Sequence, residues 1–161
     1  MRAAVCRQPG TPLAMDSVDD PKPDPGQVVI AVKRCGICGT DLHATEEHNG
    51  LLLSGTVMGH EFAGEIVEVG ANCPADWKIG RKVTGMPSHS CGECLPCRTG
   101  KPLQCDNNII LGLQRAGGFA EYVALDTQNS VLLPDSVDWV EGALIEPLAL
   151  GLHAGQRDFA I

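Results

Sequence analysis

Gly59-His60-Glu61-Phe62-Ala63-Gly64-Glu65-Ile66-Val67-Glu68-Val69-Gly70 reads as a β-strand from Phe62 to Val69, stopped by Gly70. Outward from it the pattern repeats. Arg81 to Thr84 is a second short strand behind Gly80, and Val28, Ile30 and Val32 alternate with Gln27 and Lys33, the period of a half-buried strand. Met1 to Cys6 and Leu13 to Val18 read as strands separated by Pro9-Gly10. Phe119 to Leu125 follows the Gly117-Gly118 turn, and Ser130 to Leu133 is one more strand. Residues 19–26, Asp-Asp-Pro-Lys-Pro-Asp-Pro-Gly, form a stiff connection without helix or strand character. Nineteen glycines and eleven prolines in 161 residues suit short strands and tight turns, not a helical bundle. Asp138 to Gln156 differs: it is rich in Ala and Leu and opens on an Asp suited to start a helix. Pro147 disfavours helical geometry at Glu146, so one helix is expected to end there and another to begin. The expectation is a mainly β, partly open barrel with a few short helices.

The net charge is −8, with no basic cluster to neutralise phosphates, so nucleic acid and anionic membranes are poor partners. Arg7 and Pro9 cut short the apolar start, which excludes a signal peptide, and no apolar run is long enough to span a bilayer. A cytoplasmic, reducing location is expected, where eight cysteines point to metal more than to disulfides.

Cys91, Cys94, Cys97 and Cys105 follow the spacing C-x2-C-x2-C-x7-C. From Ser90 to Asn107 the large apolar residues are Leu95 and Leu103, too few to order the loop by burial. Four thiolates around Zn²⁺ order it instead, forming a closed structural site. Gly92 and Gly100 permit sharp turns, and Arg98 and Lys101 offset the negative charge of the centre. Two disulfides compete, but Cys-x2-Cys pairing is mostly a redox device. An iron–sulfur cluster calls for Cys-x3-Cys-Pro after the third ligand, whereas seven residues intervene here and Asp106 follows Cys105.

A second constellation is dispersed. Cys38 lies in Cys35-Gly-Ile-Cys38-Gly-Thr-Asp-Leu-His43, His60 and Glu61 open the strand quoted first, and Glu146 stands alone in an apolar run. A buried carboxylate there requires a cation or donors. Cysteine, histidine and one carboxylate leave a fourth zinc position open for water or substrate, the pattern of catalytic zinc. His60 and Glu61 would face opposite ways on a regular strand unless Gly59 bends the chain. Charge balance favours one direct carboxylate ligand. Either Glu61 or Glu146 fills that role, with the other holding the metal-bound water. Thr40 and His43, three apart on a helical turn, can pass a proton from a metal-bound alcohol to solvent, and Asp41 reads as a capping carboxylate. Cys35 and Cys38 also spell a dithiol motif, though without a surrounding βαβ pattern. Cys6 and Cys73 read as buried small residues, and His48, His89 and His153 take no role.

These segments, with Gly117-Gly118-Phe-Ala-Glu-Tyr122 and Glu146-Pro147, resemble the zinc-containing medium-chain alcohol and polyol dehydrogenases over nearly the whole chain. The resemblance implies a GroES-like catalytic domain over 1–150 with a structural-zinc lobe at 90–107, and residues 151–161 as the start of a connection to a dinucleotide-binding domain. It implies Cys38 and His60 as zinc ligands, Thr40 and His43 as a proton relay, and two zinc ions per chain. Glu146 stands where the alcohol-specific branch has its second cysteine, which points to polyols, sugar acids, diols or threonine as substrates. Cys73 replaces a usual valine, with packing consequences only. The resemblance also implies a small-molecule alcohol or ketone as substrate, NAD or NADP as hydride acceptor, and allows a homo-oligomer. No Gly-x-Gly-x-x-Gly turn occurs, so the chain is expected to be a fragment that binds zinc without turning over. Two other classes stay open: a non-catalytic zinc module for assembly or regulation, and a dithiol redox protein.

Overall fold

The apolar strand Gln27–Gly36 (β3) forms the axis of the structure, a computed structural model that describes residues 1–46 and 55–158. β3 pairs on one side with Glu61–Val69 (β5) and on the other with Tyr122–Asp126 (β9). Lys82–Gly85 (β6) and Ser130–Leu132 (β10) complete an antiparallel five-stranded sheet in the order β10-β6-β5-β3-β9. Register shifts between Val29 and Ile30 and between Val32 and Arg34 help curl this sheet into a half-barrel, as bulges strengthen local twist. Arg2–Cys6 (β1), Ala14–Ser17 (β2) and Thr56–Val57 (β4) form a second sheet in the order β2-β1-β4. Ser88–His89 (β7) and Ile109–Ile110 (β8) pair across the base of the four-cysteine loop.

The core lies inside the curl, where Val28, Ile30, Phe62, Ile66, Val83, Val123 and Leu125 are buried together. Each such side chain contributes about 1.5–3 kcal/mol by leaving water. Short helices cover Gly39–Ala44 (α1) and Leu95–Arg98 (α2). Sequence periodicity located the long strands, though β3 runs on from Lys33 to Gly36. It missed β4, β7, β8 and α2, which are too short to show a period.

Two expectations need correction. The strand expected from Phe119 begins only at Tyr122, because the three residues before it bridge other segments. Phe119 N–H donates to Met58 O and Glu121 N–H to Arg2 O, and Phe119 O accepts from Ala4 N–H, so this stretch ties the two sheets together. The break expected at Glu146-Pro147 is absent: Trp139–Asp158 (α3) is one helix with Pro147 inside it. Proline removes a single N–H from the ladder, at a cost of about 3 kcal/mol. Tertiary packing offsets it, since Ala143 is buried with Ala63 and Leu133, and Gly142 sits so close that an added Cβ would lie 2.9 Å from Ala63 Cβ. The boundary expected at residue 150 therefore falls inside a helix, while residues 159–161 lie outside the described residues. The start of α3 matches expectation. Asp138 Oδ1 accepts from Val140 N–H and Glu141 N–H at 2.8 Å, and Glu141 returns a bond to Asp138 N–H, a reciprocal cap of about 1 kcal/mol.

Candidate metal centres

Cys38 occupies the N-cap of α1, a position normally taken by Ser, Thr, Asp or Asn. Its Sγ accepts from Thr40 N–H at 3.4 Å, and Asp41 Oδ2 accepts from Cys38 N–H at 3.1 Å. This reciprocal cap fixes where the thiol points. The other carboxylate oxygen of Asp41 accepts from Gly59 N–H at 3.3 Å and lies 3.5 Å from His60 Nδ1. Asp41 is only 3% exposed, so one buried carboxylate joins the two segments that carry Cys38 and His60. The sequence reading of Asp41 as a cap holds but missed its reach to His60. The spacing Cys38-x-x-Asp41 signals the cap alone and carries no sign of the contact with His60.

Gly59 turns the chain with φ +88°, so His60 and Glu61 do not sit as successive residues of a regular strand. Three glycine backbones stack there. A Cβ on Gly117 would meet Gly59 O at 2.1 Å, and one on Gly112 would meet Gly59 N at 3.0 Å. Glu61 opens β5 opposite Gly36 of β3, where a Cβ would strike the Glu61 carboxylate at 2.5 Å. The result is a cluster: one ligand atom each of Cys38, His60 and Glu61 lies within 4.8 Å of the others. His60 is 5% exposed, and its Nδ1 has no hydrogen-bond partner at normal distance. An underused buried imidazole beside a thiol and a carboxylate fits a divalent cation, with Asp41 orienting the ring from behind.

Glu146 does not join this cluster among the described residues. It lies half-buried on α3, where burial, and to a lesser degree the Glu61 charge, raises its carboxyl above the usual range while the His60 charge opposes this. Of the two carboxylates left open by the sequence, Glu61 is the one that geometry places beside the thiol and the imidazole. Thr40 and His43 lie one turn apart on α1, both exposed, and His43 Nδ1 sits 3.1 Å from Glu46 Oε1. Burial first, then the negative charge of Asp41, pushes the Cys35 thiol up to about 12, which disfavours a Cys35–Cys38 dithiol couple. His48 lies outside the described residues.

The Asp41 carboxylate, 3.5 Å from Nδ1, holds His60 up to about 9, burial opposes it, and the Cys38 side chain adds to the rise. The raised value means that the imidazolium–Asp41 pair stabilises the metal-free fold fully below the ordinary histidine pKa, and this contribution fades as pH climbs through about 9. A cation must displace that proton. Zinc affinity at the Cys38 cluster is therefore expected to rise with pH up to about 9, with proton release on zinc addition in weak buffer at neutral pH. A pH-independent affinity would show that His60 is not a ligand.

The second cluster is the four-cysteine loop. Cys94 Sγ lies 3.3 Å from Cys97 Sγ and 3.8 Å from Cys105 Sγ, and Cys105 Sγ lies 3.5 Å from Cys91 Sγ. A tetrahedron with metal–sulfur bonds of about 2.3 Å has edges of about 3.8 Å, so the sulfurs fit zinc. Backbone N–H groups of Cys94 and Glu93, in that order, hold Cys91 down to about 6, whereas burial and then Cys94 push Cys97 up to about 12. Four neighbouring sulfurs cannot all ionise without a cation among them. Among the described residues these two clusters are the groups of His, Cys, Asp and Glu suited to hold a metal.

Residues 24–135 match the alcohol dehydrogenase GroES-like domain, and the chain belongs to that family. It is 36% identical over 157 residues to L-galactonate-5-dehydrogenase of Escherichia coli (strain K12), covering 98% of this chain and 45% of the relative. It is 39% identical to L-threonine 3-dehydrogenase of Sinorhizobium medicae (strain WSM419), covering 95% and 45%. Among solved structures, the short chain alcohol dehydrogenase rspB from E. coli CFT073, complexed with NADH, superposes with a TM-score of 0.88 at 33% identity, covering 98% and 45%. The chain thus spans less than half the length of these relatives. No helix among the described residues is long and apolar enough to cross a membrane.

Proposed function

We propose that the chain is the catalytic-domain portion of a zinc-dependent oxidoreductase that prepares a secondary alcohol for hydride transfer to NAD or NADP. The observation that carries this reading is the convergence of one ligand atom each of Cys38, His60 and Glu61 within 4.8 Å, a three-residue set that would leave zinc a fourth position for substrate. The preferred substrates are polyols, sugar acids, diols or threonine-like alcohols, a choice supported by Glu146 near the cluster and by the galactonate and threonine dehydrogenase relatives.

Cys38, His60 and Glu61 would hold a zinc ion, which would supply the Lewis acidity that eases deprotonation of a substrate hydroxyl. Asp41 keeps His60 in the tautomer with its free nitrogen toward the cluster, and the α1 cap keeps the Cys38 thiolate in place. Thr40 takes the substrate hydroxyl proton and His43 delivers it to solvent, as two exposed groups one turn apart on α1 can do. Glu146 orients water or a neighbouring substrate hydroxyl. Cys91, Cys94, Cys97 and Cys105 hold the second, structural zinc.

Dinucleotide binding belongs, in this reading, to a further domain, so the isolated chain binds zinc without turnover. The exposed Val140, Leu144, Leu148 and Leu152, four apart along α3, support further protein packed there. Cobalt substitution tests the proposal without the cofactor domain. The visible bands assigned to Cys38 are expected to shift on adding a polyol or L-threonine. Bands unmoved by saturating alcohol would remove the substrate-binding role of this metal.

A further inference from the structure

The four-cysteine lobe carries a second property beyond holding a metal. Four cysteines permit three disulfide pairings, and the sulfur positions rank them. Cys94 and Cys97 are the nearest pair at 3.3 Å, joined through Leu95-Pro96, and Cys91 and Cys105 follow at 3.5 Å. The competing Cys94–Cys105 approach is 3.8 Å. Closing the nearest pair to a bond length of about 2.05 Å needs the sulfurs to travel little more than an ångström, and its short loop costs little entropy. Cys91, Cys94 and Cys97 are partly exposed, whereas Cys105 is buried, so external attack begins at one of the first three.

We infer that the lobe is a reversible oxidation site in which thiol–disulfide exchange closes Cys94–Cys97 first and Cys91–Cys105 second, expelling the metal while the loop stays clasped. The inference rests on the lobe holding zinc, as proposed above. The oxidant is a low-molecular-weight disulfide. One lobe thiolate attacks it, forming a mixed disulfide and releasing one small thiolate; the neighbouring cysteine then attacks that bond and releases the second. Each closure removes two electrons from a cysteine pair and reduces one small disulfide to two thiolates. Two closures consume two small disulfides, release four thiolates and free one Zn²⁺. The first closure leaves only two sulfur ligands, too few for a structural site, so the metal departs with it.

The test treats the zinc-loaded chain with oxidised glutathione, reads freed zinc with a colorimetric chelator, and maps disulfides by alkylation, proteolysis and mass spectrometry. The expected result is a Cys94–Cys97 bond appearing in step with about one equivalent of zinc, then Cys91–Cys105, both reversed by thiol reductant and added zinc. The Cys38→Ser chain assigns the freed ion to the lobe. A dominant pairing of Cys94–Cys105 with Cys91–Cys97, or of Cys91–Cys94 with Cys97–Cys105, would overturn the inference, as would an unoxidised lobe that keeps its zinc. A chain with no lobe zinc at the outset contradicts the metal assignment, and the peptide map still decides the pairing.

Discussion

Cys38→Ser is expected to lower the zinc content from two ions per chain to one, leaving the ion at Cys91–Cys105 in place. Cys38 is the one soft donor in its cluster, and a serine hydroxyl stays protonated and binds zinc poorly at neutral pH. The fold has little reason to fail. Serine is a preferred N-cap, so its hydroxyl can accept from Thr40 N–H as the sulfur does, and Asp41 still receives Cys38's backbone N–H. Metal analysis alongside circular dichroism separates loss of an ion from loss of structure. Two ions retained in a folded variant would show that Cys38 is not a ligand. One ion in the unsubstituted chain would favour a zinc module that serves assembly alone, since such a module needs only the cysteine-rich lobe.

Gly59→Ala is expected to destabilise the chain by about 3 kcal/mol or more, read as a shift in the urea midpoint. Two penalties add. At φ +88° an L side chain strains the backbone by roughly 1–2 kcal/mol. The new Cβ would then lie 2.5 Å from Phe119 Cδ1, so this partly buried ring, which packs against the cluster of Met58 and Leu113, would have to shift. Gly80→Ala is the control, because Gly80 has φ +87° with nothing within 4 Å of the added atom, and should show the backbone penalty alone. Equal losses in the two variants would mean that the stack behind His60 has slack, and that Gly59 does not lock the imidazole in place.

Much of this architecture was legible without coordinates because strand alternation and turn residues are local signals. Gln27 to Lys33 was readable as a strand, although Gln27 to Ile30 are all buried where alternation predicted one buried face, and Gly70 and Gly80 marked strand ends. The four-cysteine cluster was equally readable, since its cysteines lie within fifteen residues of chain and the loop has little apolar content to order it. Pro147 misled because local preference stops a helix there, whereas packing of Gly142 and Ala143 on Ala63 and Leu133 carries it through.

By itself, then, the sequence determined the β character, the cysteine-rich lobe and the roster of candidate ligands, all of which depend on composition and short-range spacing. Only the tertiary structure decided between Glu61 and Glu146 as the carboxylate beside Cys38 and His60, and only it revealed Asp41 behind the imidazole. The physical reason is that this cluster is assembled by long-range contacts. A left-handed glycine at 59, stacked on the backbones of Gly112 and Gly117, turns His60 and Glu61 toward the helix cap at Cys38, far back along the chain, and no local periodicity encodes such a meeting.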